Sequence, residues 1–176
     1  RLAKLILRHF DYSINKVSAI EEQVVPFVLD MSLLYEHYVY GLLYEAYQNK
    51  STYQYSSLTG KPDFLYHSQG FKAILDTKYI PKYENQKLDT DVVRQLSGYS
   101  RDLKILKYLG YEDGAEEAPL PNVPCVIIYP EEGGEKNNPF LNISLKKLCS
   151  KSVGGHALFY KIAISVPTLK GEIFII

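Results

Sequence analysis

Two short apolar runs, Phe64-Leu65-Tyr66 and Ala73-Ile74-Leu75, lie either side of Ser68-Gln69-Gly70, a good turn sequence. β-Prone runs separated by residues that tolerate a chain reversal predict a hairpin. Each run carries an aspartate. Asp63, just after Pro62, opens the first strand, and Asp76 follows Leu75 at the far end of the second. In a hairpin the start of one strand lies beside the end of its partner, so Asp63 and Asp76 are expected to be neighbours. Side chains alternate along a strand, so Lys78 joins Asp76 on one face and Thr77 points to the other. Two carboxylates and an ammonium then meet at one corner of a sheet. Paired carboxylates repel unless a cation joins them. Oxygen-only ligands select a hard cation, Mg²⁺ or Mn²⁺. Lys78 is placed to orient or help deprotonate a water, or to stabilise charge on a phosphate. Asp-x-Lys alone is common at the ends of surface hairpins. Here it closes an apolar run, where a charged pair needs a reason.

The rest of the chain supplies a mixed sheet. Residues 1–23 read as a helix or two, ended by Pro26. Asp30 and Ser32 can cap a second helix over 31–48, with Leu33, Leu34, Val39, Leu42, Leu43 and Ala46 at helical spacing. Strands are expected over 53–58, in the hairpin through Lys72–Tyr79, over Val123–Tyr129 and over His156–Val166, with another at Glu172–Ile176. Residues 81–90 form a polar connection, and a third helix spans 90–109 with Thr90 or Asp91 near its cap. Residues 143–150 fit either a short helix or a strand. Helices followed by strand, strand, helix and strand predict an α/β domain with a central mixed β-sheet flanked by helices. No apolar run is long enough to span a bilayer.

Composition misleads at first. The 176 residues carry 20 Lys+Arg and 20 Asp+Glu, a neutral total that argues against a nucleic-acid partner. The charge is segregated, however. Residues 112–135 hold seven carboxylates and no basic side chain, which leaves a net +7 on the remainder. Prolines and glycines mark much of that acidic stretch as loop, most simply a solvated surface. Two cysteines, Cys125 and Cys149, exclude a dense disulfide framework and a four-cysteine cluster. With no visible signal peptide, they point to a cytoplasmic protein. His67 and His156 have no partner at metal-ligand spacing. The tyrosine-rich helix (Tyr35, Tyr38, Tyr40, Tyr44, Tyr47) fits core or interface packing better than a nucleic-acid groove. There is no G-x-x-x-x-G-K-[ST] loop, so this chain is not expected to bind GTP.

Pro62-Asp63 followed by Asp76-Thr77-Lys78 resembles the motif of the PD-(D/E)xK nuclease superfamily. A wider string is more specific: Pro26-Phe27-Val28-Leu29-Asp30-Met31, Leu34-Tyr35-Glu36, Lys61-Pro62-Asp63 and Ile74-Leu75-Asp76-Thr77-Lys78-Tyr79. Over roughly 24–130 it is similar to the McrC nuclease subunits of GTP-dependent, modified-cytosine-directed restriction systems. The resemblance implies a restriction-endonuclease-like fold over residues 26–176. Residues 1–25 would be a helical lead-in, the end of an N-terminal region that engages the GTPase.

It also implies an Mg²⁺-dependent endonuclease acting on double-stranded DNA, with an AAA+-type, McrB-like GTPase subunit as partner and an oligomeric assembly left open. Asp63, Asp76 and Lys78 would be catalytic. Asp63, Asp76 and the Thr77 carbonyl would hold metal, with Glu36 as an auxiliary ligand, direct or through water. Gln95 and Tyr99, four apart on one helix face, resemble an accessory motif of RecB-like nucleases. There Gln95 would bond a catalytic carboxylate or a phosphate, and Tyr99 the DNA backbone. Arg94, with Arg101, Lys104 and Lys107, adds positive charge along that helix. Two alternatives remain: a RecB-like exonuclease, and a non-catalytic interaction domain that keeps the nuclease fold.

Overall fold

The computed structural model describes residues 29–80, 88–111, 121–131 and 137–166. The expected helices over 1–23, the strand at 172–176 and most of the acidic stretch lie outside the described residues.

Helix α1 (Met31–Tyr47) begins where Asp30 accepts hydrogen bonds from the Ser32 and Leu33 amides, which satisfies free N–H groups of the first turn. Tyr35, Val39, Leu43 and Tyr47 recur every four residues and bury one stripe of it. A 3₁₀ turn (Gln48–Lys50) leads into β1 (Ser51–Tyr53), and the hairpin follows as β2 (Phe64–Ser68) and β3 (Phe71–Thr77). Then come α2 (Thr90–Tyr99), α3 (Leu103–Tyr108), β4 (Cys125–Glu131), α4 (Leu145–Leu148) and β5 (Phe159–Ser165).

The strands form one sheet in the order β1-β2-β3-β4-β5. The first three pair antiparallel, and β3-β4 and β4-β5 pair parallel, so the sheet is mixed, as expected. The pleat sorts the core into two layers. Phe64, Tyr66, Ala73, Leu75, Val126 and Ile128 pack under α1, together with Phe140 and Leu145. Leu65, Ile74, Cys125 and Ile127 pack under Val92, Leu96 and Tyr99 of α2 and Ile105 and Leu106 of α3. β3 and β4 are covered on both faces, which is why they read as continuous apolar runs rather than alternating ones. Both cysteines are buried and unpaired, and no helix among the described residues is long and apolar enough to cross a membrane.

Several boundaries differ from expectation. The strand expected over 53–58 is Ser51–Tyr53, because Gln54 takes a positive φ of 46° and turns the chain out of the sheet. Lys78 and Tyr79 lie just past the end of β3, the β4 strand runs Cys125–Glu131, and β5 starts at Phe159 rather than His156. Residues 143–150 resolve as the short helix α4. The cap of α2 is Asp89, not Thr90 or Asp91.

The helix expected over 90–109 is two helices. Asp102 breaks it by adopting an extended conformation and capping α3, accepting from the Lys104 and Ile105 amides. The same carboxylate, 2% exposed, accepts from the amide and hydroxyl of Thr59 at 2.7 and 2.8 Å. It therefore ties the loop before Asp63 to the α2–α3 turn. These bonds outweigh the burial and hold the Asp102 carboxyl below its ordinary pKa. Replacing Asp102 with Ala loses a helix cap and leaves the Thr59 donors unpaired. We expect a destabilisation of about 2–4 kcal/mol in denaturant titration. A change within the ordinary surface range of about 0.5 kcal/mol would contradict this role.

Candidate active site

Phe64 pairs with Leu75, so the residue before Phe64 comes level with the residue after Leu75. That register brings Asp63 and Asp76 to one corner, as the hairpin argument requires. Asp76 is 1% exposed at the end of a strand buried on both faces. Its Oδ2 lies 2.6 Å from Lys78 Nζ. This ion pair lowers the cost of burying the Asp76 charge. The ion pair confirms that Asp76 and Lys78 face the same way.

Thr77 departs from expectation. Its side chain does not point away from the site, since its hydroxyl and its amide both donate to Asp63 Oδ2 at 2.6 Å. Asp63 lies outside the strand, where the pleat no longer dictates direction, so its carboxylate leans past the strand end onto Thr77. That leaves Oδ1 of Asp63 outside the Thr77 contacts.

Three elements close around the corner. From α2, Gln95 Oε1 stands 3.5 Å from Lys78 Nζ, Gln95 Nε2 is 3.2 Å from the Tyr99 hydroxyl, and Tyr99 donates to the Lys61 carbonyl at 3.3 Å. A polar chain thus runs from Asp76 through Lys78, Gln95 and Tyr99 to the segment that delivers Asp63. Gly60 is needed beside it: its φ is +140°, and a Cβ there would sit 3.1 Å from the Tyr99 hydroxyl. From α1, Glu36 faces the two aspartates, and its charge raises the pKa of both. In this structure it bonds Gln54 Nε2 at 2.9 Å and the Tyr53 hydroxyl. Gln54 also donates its amide to the Asp63 carbonyl at 2.8 Å. Sequence reasoning missed Gln54; no motif marks it, and its role arises from the left-handed turn that ends β1. Arg94 is not brought to the site. It pairs with Asp91 on the exposed side of α2.

The electrostatics are those of a crowded anionic corner. Burial first, then the Asp76 charge, push the Asp63 carboxyl up to about 6, against the two Thr77 bonds that hold it down. Burial also raises Asp76, and the Lys78 charge opposes it. For Lys78, burial acts to lower the pKa, but Asp76 and Asp63 together outweigh it and keep the ammonium protonated. Among the described residues no group of three His, Cys, Asp or Glu side chains has metal-holding geometry. The donor set nonetheless fits a hard divalent cation: buried Asp76 and half-buried Asp63 offer oxygen atoms only, and Asp63 Oδ1 lies outside the Thr77 contacts. Mg²⁺ is commonly held by one or two carboxylates, with waters and substrate phosphate completing its shell.

The fold and this corner define an α/β protein that gathers a buried and a half-buried carboxylate and an ammonium at one end of its central strand. Residues 1–105 match the family model described as "McrBC 5-methylcytosine restriction system component", and the chain belongs to that family. The matched span contains every residue of the corner. No curated protein and no solved structure matches the chain significantly.

The raised Asp63 pKa has a consequence for stability. Folding takes up a proton between the ordinary carboxylate pKa near 4 and about 6. Metal-free stability therefore falls as pH rises through that window, and the loss is complete above it. Asp63→Asn keeps an acceptor for Thr77 and removes the charge. At pH 8 in chelator it is expected to be more stable than the parent by about 1–2 kcal/mol, with the gap closing by pH 4. Thermal melts at the two pH values measure this, and an equal or lower melting temperature at pH 8 would contradict it.

Proposed function

We propose that this chain is the nuclease component of a McrBC-type restriction system, an Mg²⁺-dependent endodeoxyribonuclease with a PD-(D/E)xK fold. The observation that carries the reading is the meeting of Asp63, Asp76 and Lys78 at one buried corner, inside the span that matches the family. Residues 26–176 form the nuclease domain in this reading, with an AAA+-type GTPase subunit as its partner. Reading the modified base and hydrolysing GTP belong to that partner.

Asp63 and Asp76, with the Thr77 carbonyl, would hold the metal, and Glu36 would support it from α1. Bound there, a divalent cation supplies Lewis-acid polarisation of the phosphate and a more acidic water. Thr77 orients Asp63 by its two bonds. Lys78, held cationic by its carboxylate neighbours, suits orienting the attacking water and stabilising charge on the phosphate better than removing a proton. Water attacks phosphorus and the bond to the 3′ oxygen breaks, leaving a 5′-phosphate and a 3′-hydroxyl. Gln95 fixes the Lys78 ammonium, and Tyr99 links Gln95 to the backbone before Pro62.

Assembled with its GTPase partner, Asp76→Ala or Lys78→Ala is expected to lower DNA cleavage by at least about 10³-fold while the circular dichroism of the fold is retained. Chelation should abolish cleavage in the parent. Cleavage at the parent rate by either variant would refute the site.

The Gln95–Tyr99 bond also favours a second reading, a RecB-like exonuclease. Covalently closed circular DNA separates the two: an endonuclease cuts it, and an end-dependent exonuclease leaves it intact.

A further inference from the structure

Leu58 is 75% exposed, the most exposed large hydrophobic side chain among the described residues. It does not sit on a slack loop. Ser57 donates through both its amide and its hydroxyl to the Gly60 carbonyl, and Thr59 donates twice to buried Asp102. Tyr99 holds the Lys61 carbonyl. Two residues later the chain reaches Asp63. An apolar side chain presented on so constrained a turn, beside the corner that would cut DNA, is arranged for contact.

Helix α3 continues the same surface. Asp102 bonds Thr59 and caps α3, and the Tyr55 ring lies 4.5 Å from that of Tyr108. Lys104 stands over the Tyr55 ring at 5.7 Å. Leu103 and Tyr108 are 56% and 40% exposed. The charges are one-sided. Lys61, Arg101, Lys104 and Lys107 are all exposed, and the single carboxylate in residues 51–62 and 97–111, Asp102, is buried. Exposed cations interleaved with aromatic and apolar side chains match a phosphate backbone with a groove beside it.

We propose that the Tyr55–Lys61 loop and α3 form the surface on which duplex DNA docks. Lys61, Arg101, Lys104 and Lys107 engage phosphates, and Leu58 packs into the minor groove next to the scissile bond. This rests on the nuclease reading and specifies where its substrate lies.

The test measures binding apart from cutting. Anisotropy of a short fluorescent duplex, in Ca²⁺ over a range of salt, is compared for the full chain and its variants. Arg101→Gln/Lys104→Gln/Lys107→Gln is expected to bind at least about tenfold more weakly, with the slope of log affinity against log salt reduced by about 3. Leu58→Ala is expected to weaken binding with the slope unchanged. The control is Lys146→Gln/Lys147→Gln on α4, which packs with the α1 face of the sheet and should bind as the parent does. Unchanged affinity and slope in the triple variant, or an equal loss in the control, overturns the proposal. So does a triple variant that binds DNA normally but no longer assembles with the GTPase, since the surface would then be a protein interface. If the parent binds duplex through this surface but, assembled with its GTPase partner, cuts nothing in Mg²⁺ or Mn²⁺, the nuclease reading fails and the surface stands. If the parent cuts and the triple variant binds and cuts equally well, the surface fails and the nuclease reading stands.

Discussion

A carboxylate at the end of a strand that is covered on both faces is costly to keep charged, and Asp76 is such a group. Part of the nearby structure offsets that cost and part adds to it. Lys78, two residues on along the strand direction, brings an ammonium to 2.6 Å. β2 brings a second carboxylate beside the first through its register with β3. α2 holds the lysine through Gln95, and α1 adds Glu36 from the other layer. A purely structural corner would be more stable with apolar residues in these places. Like charges held together in a fold work against each other, and both carboxyl groups are raised by it.

Precision at this corner comes from outside the strands. Asp63 precedes β2, and no pleat aims its side chain. Thr77 takes its Oδ2 twice, and Gln54 takes its carbonyl. The loop before it is closed by Ser57 and Gly60, tied to α3 by Asp102 and to α2 by Tyr99. Asp102 therefore caps a helix and fixes the approach to the site with one carboxylate. A helix break and the loop that delivers Asp63 share a single anchor, so their positions are coupled.

Much of this was legible in the chain. The hairpin was readable because a good turn sequence separates two apolar runs, and the antiparallel rule then makes Asp63 and Asp76 neighbours. The Asp76–Lys78 pair follows from alternation. The Gln95–Tyr99 contact follows from helical spacing, which brings residues four apart onto one face. Alternation failed for Thr77, because its hydroxyl meets a residue outside the sheet. Arg94, expected to add positive charge along the helix, pairs with Asp91 on its exposed side. The break at Asp102 was missed because the apolar pattern runs on through it. Its signal was an aspartate directly before a renewed apolar run, the usual form of a helix cap.

By itself, then, the sequence determined which two strands form the hairpin, which charged residues share their corner and which family the chain resembles. These follow from local periodicity and from turn and cap chemistry, which act over a few residues. Tertiary structure decided the rest. It gave Gln54 a place beside Glu36 and Asp63, brought the Asp63 carboxylate onto Thr77, and joined the Leu58 loop to α3 as one surface. Those contacts link residues far apart in the chain, and only the packing of α1 and α2 on opposite faces of the sheet sets their distances.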